Sequence, residues 1–145
     1  MKIEEVVKYN ERIYEAVTVL IPQLGSGTIV PAKEYFRTIL ESASSHLYAL
    51  KLENKEIAGI LTLCICRIPT GIKAWIEDVV VNQAQRGKGY GKALLLHAME
   101  FARSEGAKAV ELTSRPSRIE ANHLYQKLGF VVRETNLYMY TFSKA

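Results

Sequence analysis

Eight consecutive residues, Gln85-Arg86-Gly87-Lys88-Gly89-Tyr90-Gly91-Lys92, interleave three glycines with three cations. They lie between an apolar run, Ala74 to Val81, and a run with helical apolar spacing, Gly91 to Glu105. Glycine lets a backbone turn sharply and approach a ligand closely. The first amides of a helix have no partner within the helix, and they point outward with the positive end of its dipole. Such a turn suits an anion, a pyrophosphate above all, and Arg86, Lys88 and Lys92 add charge of the right sign. Two nucleotide patterns fit less well. A P-loop ends in Gly-Lys-Ser or Gly-Lys-Thr, whereas Gly91-Lys92 is followed by Ala93, so the magnesium ligand is missing. The dinucleotide fingerprint G-x-G-x-x-G would need a glycine where Lys92 stands.

The elements that must position this turn alternate along the chain. Ile3 to Val6 reads as a short strand. Glu11 to Leu24 carries Ile13, Ala16, Val17, Leu20 and Ile21 at helical spacing, with Pro22 near its end. Leu24 to Pro31 is a glycine-bearing loop. Pro31 can open a second helix with Tyr35, Phe36, Ile39 and Leu40 facing inward. Leu47 to Leu52 and Ile57 to Ile65 flank the turn Glu53-Asn54-Lys55-Glu56 as a hairpin. Ala74 to Val81 follows as a strand. The helix Gly91 to Glu105 turns Leu94, Leu95, Ala98, Phe101 and Ala102 to one side and stops at Gly106. Ala109 to Thr113 is a strand, Ile119 to Leu128 a helix stopped by Gly129, and Val131 to Arg133 with Leu137 to Phe142 a closing hairpin. The strand–helix–strand passage between Ala74 and Thr113 gives a parallel pair with a right-handed crossover. The expected fold class is therefore mixed α/β, a mostly antiparallel sheet flanked by helices, in one domain spanning residues 1–145.

Bulk properties narrow the partners. The chain has 145 residues, 48% of them hydrophobic and 23% charged, enough for one buried core. The net charge of +4 favours an anionic partner. The cations are spread apart from the cluster at Arg86, Lys88 and Lys92, without zinc-finger or basic-zipper spacing. A small anion is expected rather than nucleic acid. No stretch is long and apolar enough to cross a bilayer. Met1-Lys2-Ile3-Glu4-Glu5 lacks the apolar run of a signal peptide, so no membrane partner and a cytoplasmic location are expected. Cys64 and Cys66 would share one strand face, too close along the chain for an unstrained disulfide. They also fall short of the three ligands zinc usually takes. They read as free core or half-buried thiols, and no metal is expected.

Arg86-Gly87-Lys88-Gly89-Tyr90-Gly91 resembles the R/Q-x-x-G-x-G/A motif of the GNAT superfamily of N-acetyltransferases. It follows Ile76-Glu77-Asp78-Val79-Val80-Val81, which is similar to that family's fourth strand. Asn122-His123-Leu124-Tyr125-Gln126-Lys127-Leu128-Gly129-Phe130 resembles a second family motif, in which an asparagine precedes a tyrosine and a Gly-Phe pair ends the helix. The resemblance is detailed from about Trp75 to Phe142 and topological before Gly71. It implies acetyl-coenzyme A as co-substrate and an amine as acceptor. The amides of Gly87, Lys88, Gly89, Tyr90, Gly91 and Lys92 would hold the pyrophosphate. The backbone of Val79, Val80 and Val81 would pair with the pantetheine arm like an added strand, between fourth and fifth strands that splay apart. Asn122 would contact the pantetheine region. A homodimer is compatible with the resemblance.

Acyl transfer to an amine sets three requirements. The amine must lose its proton, the carbonyl oxygen must be stabilised as it becomes negative, and the leaving thiolate gains from a proton. The resemblance implies that Tyr125, three residues from Asn122 and on the same helix face, reaches the coenzyme A sulfur. The plainer reading makes Tyr125 a core aromatic beside Ala121, Leu124 and Leu128. Glu77 is the candidate base, because Trp75, Glu77, Val79 and Val81 would alternate onto one strand face. Asp78, facing the other way, is its rival, and either carboxylate could be purely structural. The resemblance implies the amide of Val79 as the oxyanion donor. Arg115 to Arg118 could touch phosphates, the acceptor or only solvent. A coenzyme A-binding regulatory module without turnover is the alternative from another class.

Overall fold

A computed structural model describes residues 1–143. In chain order the elements are β1 (Lys2–Glu5), α1 (Glu11–Leu20), α2 (Lys33–Glu41), β2 (Ser45–Lys51), β3 (Ile57–Ile68), β4 (Gly71–Val81), α3 (Tyr90–Ser104), β5 (Val110–Glu111) and α4 (Ile119–Lys127). Met1–Thr113 form one compact unit, and the chain from Ser114 forms a second.

The first unit is a five-stranded sheet in the order β1-β2-β3-β4-β5. Every pairing is antiparallel except the parallel pair of β4 and β5. The fold is thus the expected mixed α/β arrangement. Side-chain alternation along each strand gives the sheet two apolar faces, and helices cover both. On one face, Ile13, Val17 and Leu20 of α1 and Phe36 of α2 pack with Leu47, Ala49, Ile57, Ile60 and Val80. Asn10 caps α1, its side chain accepting from the Ile13 amide at 2.9 Å. A 3-10 turn, Ile21–Leu24 with Pro22 in its first turn, takes over from α1, so the expected single helix ends four residues early. On the other face α3 buries Leu94, Leu95, Ala98 and Ala102. Tyr48 of β2 meets His97 and Phe101 of α3 there, with ring centroids 4.8 and 6.1 Å apart.

Four expectations need correction. Tyr35 points outward, 63% exposed, because the buried stripe of α2 runs through Phe36, Ile39 and Leu40 and leaves its neighbour about 100° away. Cys64 is half-buried but Cys66 is exposed; both are free, and β3 continues past them to Ile68. β5 is two residues long rather than the five of Ala109 to Thr113. The closing hairpin is absent: among the described residues nothing after Lys127 forms a strand. Val131, Val132, Leu137, Tyr138, Met139, Tyr140 and Phe142 are 74–88% exposed. β-propensity expresses packing against neighbouring strands, and no strand pairs with this segment. No helix among the described residues is long and apolar enough to cross a membrane.

Gly59 of β3 lies where α3 packs closely on the sheet. A Cβ at this position would stand 3.0 Å from the Val80 carbonyl oxygen, 3.1 Å from Leu94 Cδ1 and 3.3 Å from Val81 Cγ2. Gly59→Ala is expected to lower unfolding stability by about 1–3 kcal/mol, measured by urea denaturation. A variant as stable as the parent would show that α3 can back away from β4.

Candidate functional site

The end of β4 is bent by one extra residue. Ile60 lies opposite Val80 and Thr62 opposite Glu77, so Leu61 alone faces both Asp78 and Val79. This is a β-bulge. Its first residue, Asp78, has φ of 51°, a left-handed conformation in which aspartate is among the few tolerated non-glycine residues. The bulge changes the alternation. Glu77 shares the face of Thr62, Ile60 and Val80, while Val81 turns toward Gly59 and Leu94 on the α3 face. The expected row of Trp75, Glu77, Val79 and Val81 on one face therefore breaks after Glu77.

Pairing with β5 also ends here. Only Ala74 with Val110 and Trp75 with Glu111 are in register. From Ile76 to Val81 the β5-side edge of β4 has no strand partner among the described residues. Glu77 is exposed and accepts a hydrogen bond from Trp75 Nε1 at 2.5 Å. The Lys73 ammonium lies 5.8 Å from the centre of the Trp75 ring. The protein around Asp78 raises its carboxyl above the usual range by desolvation.

The strand runs directly into the glycine turn. The Asn82 amide donates to the Ala58 carbonyl at 2.7 Å, its side chain accepts from Ala84 N, and a short 3-10 turn spans Gln83–Gln85. Gly87 and Gly89 have φ of 80° and 82°, with open space where a Cβ would stand. Gly89 caps α3 and brings no side chain to its amides, so the helix N-terminus keeps its outward donors. Arg86 Nε folds back on the Val81 carbonyl at 3.2 Å. Lys88 Nζ donates to Gln85 Oε1 at 2.7 Å, and Gln85 Nε2 donates to the Glu56 carboxylate at 3.2 Å. The turn is therefore braced from β3 and β4 while its amides stay presented.

The second unit holds the other expected group. After Leu128, the Gly129 amide donates to the Gln126 carbonyl at 3.0 Å and the Phe130 amide to the Tyr125 carbonyl at 2.9 Å. Gly129 has φ of 101°. This is a Schellman ending, and it sets the Phe130 ring edge-on to Tyr125 at 5.9 Å. Tyr125 is 7% exposed, and burial raises its phenol pKa despite the opposing charge of Arg118. Asn122 Nδ2 donates to the Arg115 carbonyl at 3.0 Å, so this side chain pins the loop before α4.

Residues 13–130 match the sequence pattern of the Acetyltransferase (GNAT) family. The chain belongs to that family. An uncharacterized N-acetyltransferase of Bacillus subtilis, YhdJ, is 37% identical over 95 residues, which cover 64% of this chain and 66% of that protein. The glucosamine 6-phosphate N-acetyltransferase of Trypanosoma brucei brucei is 34% identical over 99 residues, covering 55% of this chain and 65% of that protein. The matches thus span just under two thirds of these relatives' length. The crystal structure of an aminoglycoside acetyltransferase from an uncultured soil metagenomic sample, in complex with trehalose, superposes with a TM-score of 0.84 at 20% identity. It covers 99% of this chain and 96% of that one.

Within this GNAT chain, the first unit brings together Glu77, Asp78, the Val79–Val81 backbone and the turn Arg86–Lys92. Asn122 and Tyr125 stand together on α4 of the second unit. Two residues were named in the sequence reading without their contacts. Trp75 fixes the Glu77 carboxylate, and its signal was the i, i+2 spacing on one strand face. Phe130 packs on Tyr125, which gives the Gly-Phe pair its physical purpose. Among the described residues no cluster of three or more His, Cys, Asp or Glu stands where it could hold a metal ion.

The bulge makes a stability prediction. A β-branched residue at a left-handed φ is strained by on the order of 1–3 kcal/mol, so Asp78→Val should unfold at lower urea concentration. Asp78→Asn tolerates the same φ. A carboxyl whose folded pKa is raised destabilises the fold once pH exceeds that value, and the penalty fades as pH falls toward the unfolded pKa. Asp78→Asn should therefore equal or exceed the parent in stability at pH 7. Denaturation of both variants at pH 4 and pH 7 checks this, and equal tolerance of valine would contradict the strained bulge.

Proposed function

We propose that the chain transfers an acetyl group from acetyl-coenzyme A to a primary amine by direct attack of the amine on the thioester. One observation carries the reading: a bulged strand, unpaired along one edge, runs straight into a glycine turn that presents the N-terminus of α3. An open strand edge recognises an extended amide chain, and a helix N-terminus recognises a pyrophosphate. Coenzyme A carries both in sequence, and ATP or NAD lacks the first. The amides of Gly87–Lys92 bind the pyrophosphate, with Arg86, Lys88 and Lys92 supplying charge. The backbone of Val79–Val81 lines up with the pantetheine arm, and Asn122 is the group the resemblance assigns to the same arm.

Each chemical requirement then has a group. The Val79 amide, within the bulge, donates to the carbonyl oxygen as negative charge develops. Glu77, held by the Trp75 indole, attracts the ammonium form of the acceptor and takes or relays its proton. Tyr125, whose raised pKa keeps the phenol protonated at neutral pH, donates to the departing thiolate. The relatives with a named acceptor include acetyltransferases of glucosamine 6-phosphate, streptothricin and aminoalkylphosphonate. An amine panel for coenzyme A release therefore begins with these and extends to polyamines, amino acids and peptides. We place the reaction in the cytoplasm, where the free thiols Cys64 and Cys66 stay reduced.

Binding and turnover separate the parts. Acetyl-coenzyme A should raise the thermal unfolding midpoint, and ATP, NAD or an oligonucleotide should not. Gly89→Glu places a carboxylate where the pyrophosphate sits and should abolish the shift. Gly89→Asn, which tolerates a left-handed φ, should retain much of it. Equal shifts in the two variants would remove the turn from the site.

Tyr125→Phe keeps the ring and its Phe130 contact. It should lower kcat on the order of 100-fold with little change in KM for acetyl-coenzyme A. An unchanged kcat would return Tyr125 to the core.

Glu77→Gln should lower kcat/KM for the amine at neutral pH by about 100-fold. The residual rate should climb with pH as the amine itself deprotonates, near pH 10 if it resembles lysine. A pH profile identical to the parent's would make Glu77 a structural charge. Binding without release of coenzyme A to any amine would favour a regulatory module.

A further inference from the structure

The glycine turn has an ordering problem of its own. Gly87 and Gly89 hold φ of 80° and 82°, with open space where a Cβ would stand, and glycine loses more freedom on being fixed than any other residue. Between them stands one side chain, Lys88. Its ammonium turns back and donates to Gln85 Oε1 at 2.7 Å. Gln85 Nε2 in turn donates to both carboxylate oxygens of Glu56, at 3.3 and 3.2 Å.

The far end of this chain of bonds is anchored. Glu56 closes the turn between β2 and β3. Its amide donates to Asn54 Oδ1 at 3.0 Å, and its carbonyl accepts from the Leu52 amide at 2.8 Å. The Gln85 amide donates to the Asn82 carbonyl at 2.8 Å, and the Gln83 amide donates to Gln23 Oε1 at 2.8 Å. These backbone bonds do not use the Glu56 carboxylate, so its loss releases the Gln85 side chain and leaves both turns in place.

Chemistry gives the chain a direction. An ammonium only donates and a carboxylate only accepts. The Gln85 amide can serve both in one orientation alone, with its dipole aligned between the two charges. Glu56 therefore decides which end of that amide meets Lys88.

We infer that Glu56 is a positioning residue for the coenzyme A pyrophosphate: through Gln85 it sets Lys88, and Lys88 sets the amides of Gly87 to Gly89 before the ligand arrives. The inference rests on the reading that this turn binds the pyrophosphate. Order present in the free protein is order that binding does not have to supply. The sign separates this from plain electrostatics. Glu56 lines a recess with Arg12 and Lys55, and removing its negative charge would by field alone favour an anionic ligand. Positioning demands the opposite.

Calorimetric titration of the whole chain with acetyl-coenzyme A tests this. Glu56→Ala should weaken binding about 5-fold, the cost of ordering one rotamer-rich side chain on association. Gln85→Leu should do the same, and the double variant should be no worse than either. Glu56→Gln keeps an accepting oxygen and should recover most of the loss. In a Lys88→Met background, Glu56→Ala should cost nothing further, because the side chain it sets is gone. Hydrogen exchange without ligand should show the Lys88 and Gly89 amides faster in Glu56→Ala than in the parent. Circular dichroism checks that each variant is folded. Parental or tighter binding in both Glu56→Ala and Gln85→Leu overturns the inference, and so does a full additional loss from Glu56→Ala when Lys88 is already methionine. Gly89→Glu distinguishes the two levels. If it binds like the parent, the pyrophosphate reading itself fails; if it abolishes binding while the Glu56 and Gln85 variants bind like the parent, only the positioning role does.

Discussion

Leu61 stands opposite two residues of β4, and much of the site follows from that single mismatch in register. The extra residue puts Asp78 in a left-handed conformation and reverses the side-chain parity of the strand. Val80 can then join the core beneath α1 and α2 on the same face as Glu77. The open edge of β4 has a separate origin. The neighbouring parallel strand has by then already stopped: β5 pairs only with Ala74 and Trp75, and among the described residues it leaves the strand beyond them unpaired on that side. The strain at Asp78 is local and is held by apolar contacts on both sides of it, Val80 with Ile60 on one face and Val81 with Gly59 and Leu94 on the other. Strained backbone of this kind persists where the surroundings over-determine it.

The rest of the first unit holds this strand end and the glycine turn in place. Gly59 admits Leu94, and thus the first turn of α3, close against β4. The Arg86 side chain ties the turn to the Val81 carbonyl, and the Lys88–Gln85–Glu56 chain ties it to the residue before β3. These side chains spend hydrogen bonds on the scaffold and hold positive charge beside the backbone amides and the helix dipole. The same economy appears at the end of α4. Gly129 closes the helix and directs Phe130 onto Tyr125, and Asn122 secures the preceding loop.

Much of this was legible in the sequence because it depends on local rules. The glycine turn, the long amphipathic α3, the β2–β3 hairpin and the stop at Gly129 each follow from a residue type at a fixed offset. The bulge was not legible. Ile76-Glu77-Asp78-Val79-Val80-Val81 reads as an uninterrupted strand, and only its pairing with β3 reveals the inserted residue. Asp78 was the one local hint, as a residue that accepts positive φ. The lengths of β5 and of the segment after Gly129 were also misjudged, because a strand's extent is set by its neighbours. Glu77 was singled out on a face that the structure redraws: it includes Trp75 and Val80, and excludes Val81.

The account stands or falls on whether coenzyme A lies along the bulged strand and ends on the helix. Backbone amide NMR during titration of the whole protein with acetyl-coenzyme A tests this directly. The account predicts that the largest shift changes fall on Val79 to Val81 and on Gly87 to Lys92, while β1, β2 and the recess lined by Arg12, Asn54 and Lys55 stay unperturbed. Saturable binding whose changes centre on that recess, with Gly87 to Lys92 unmoved, would contradict it.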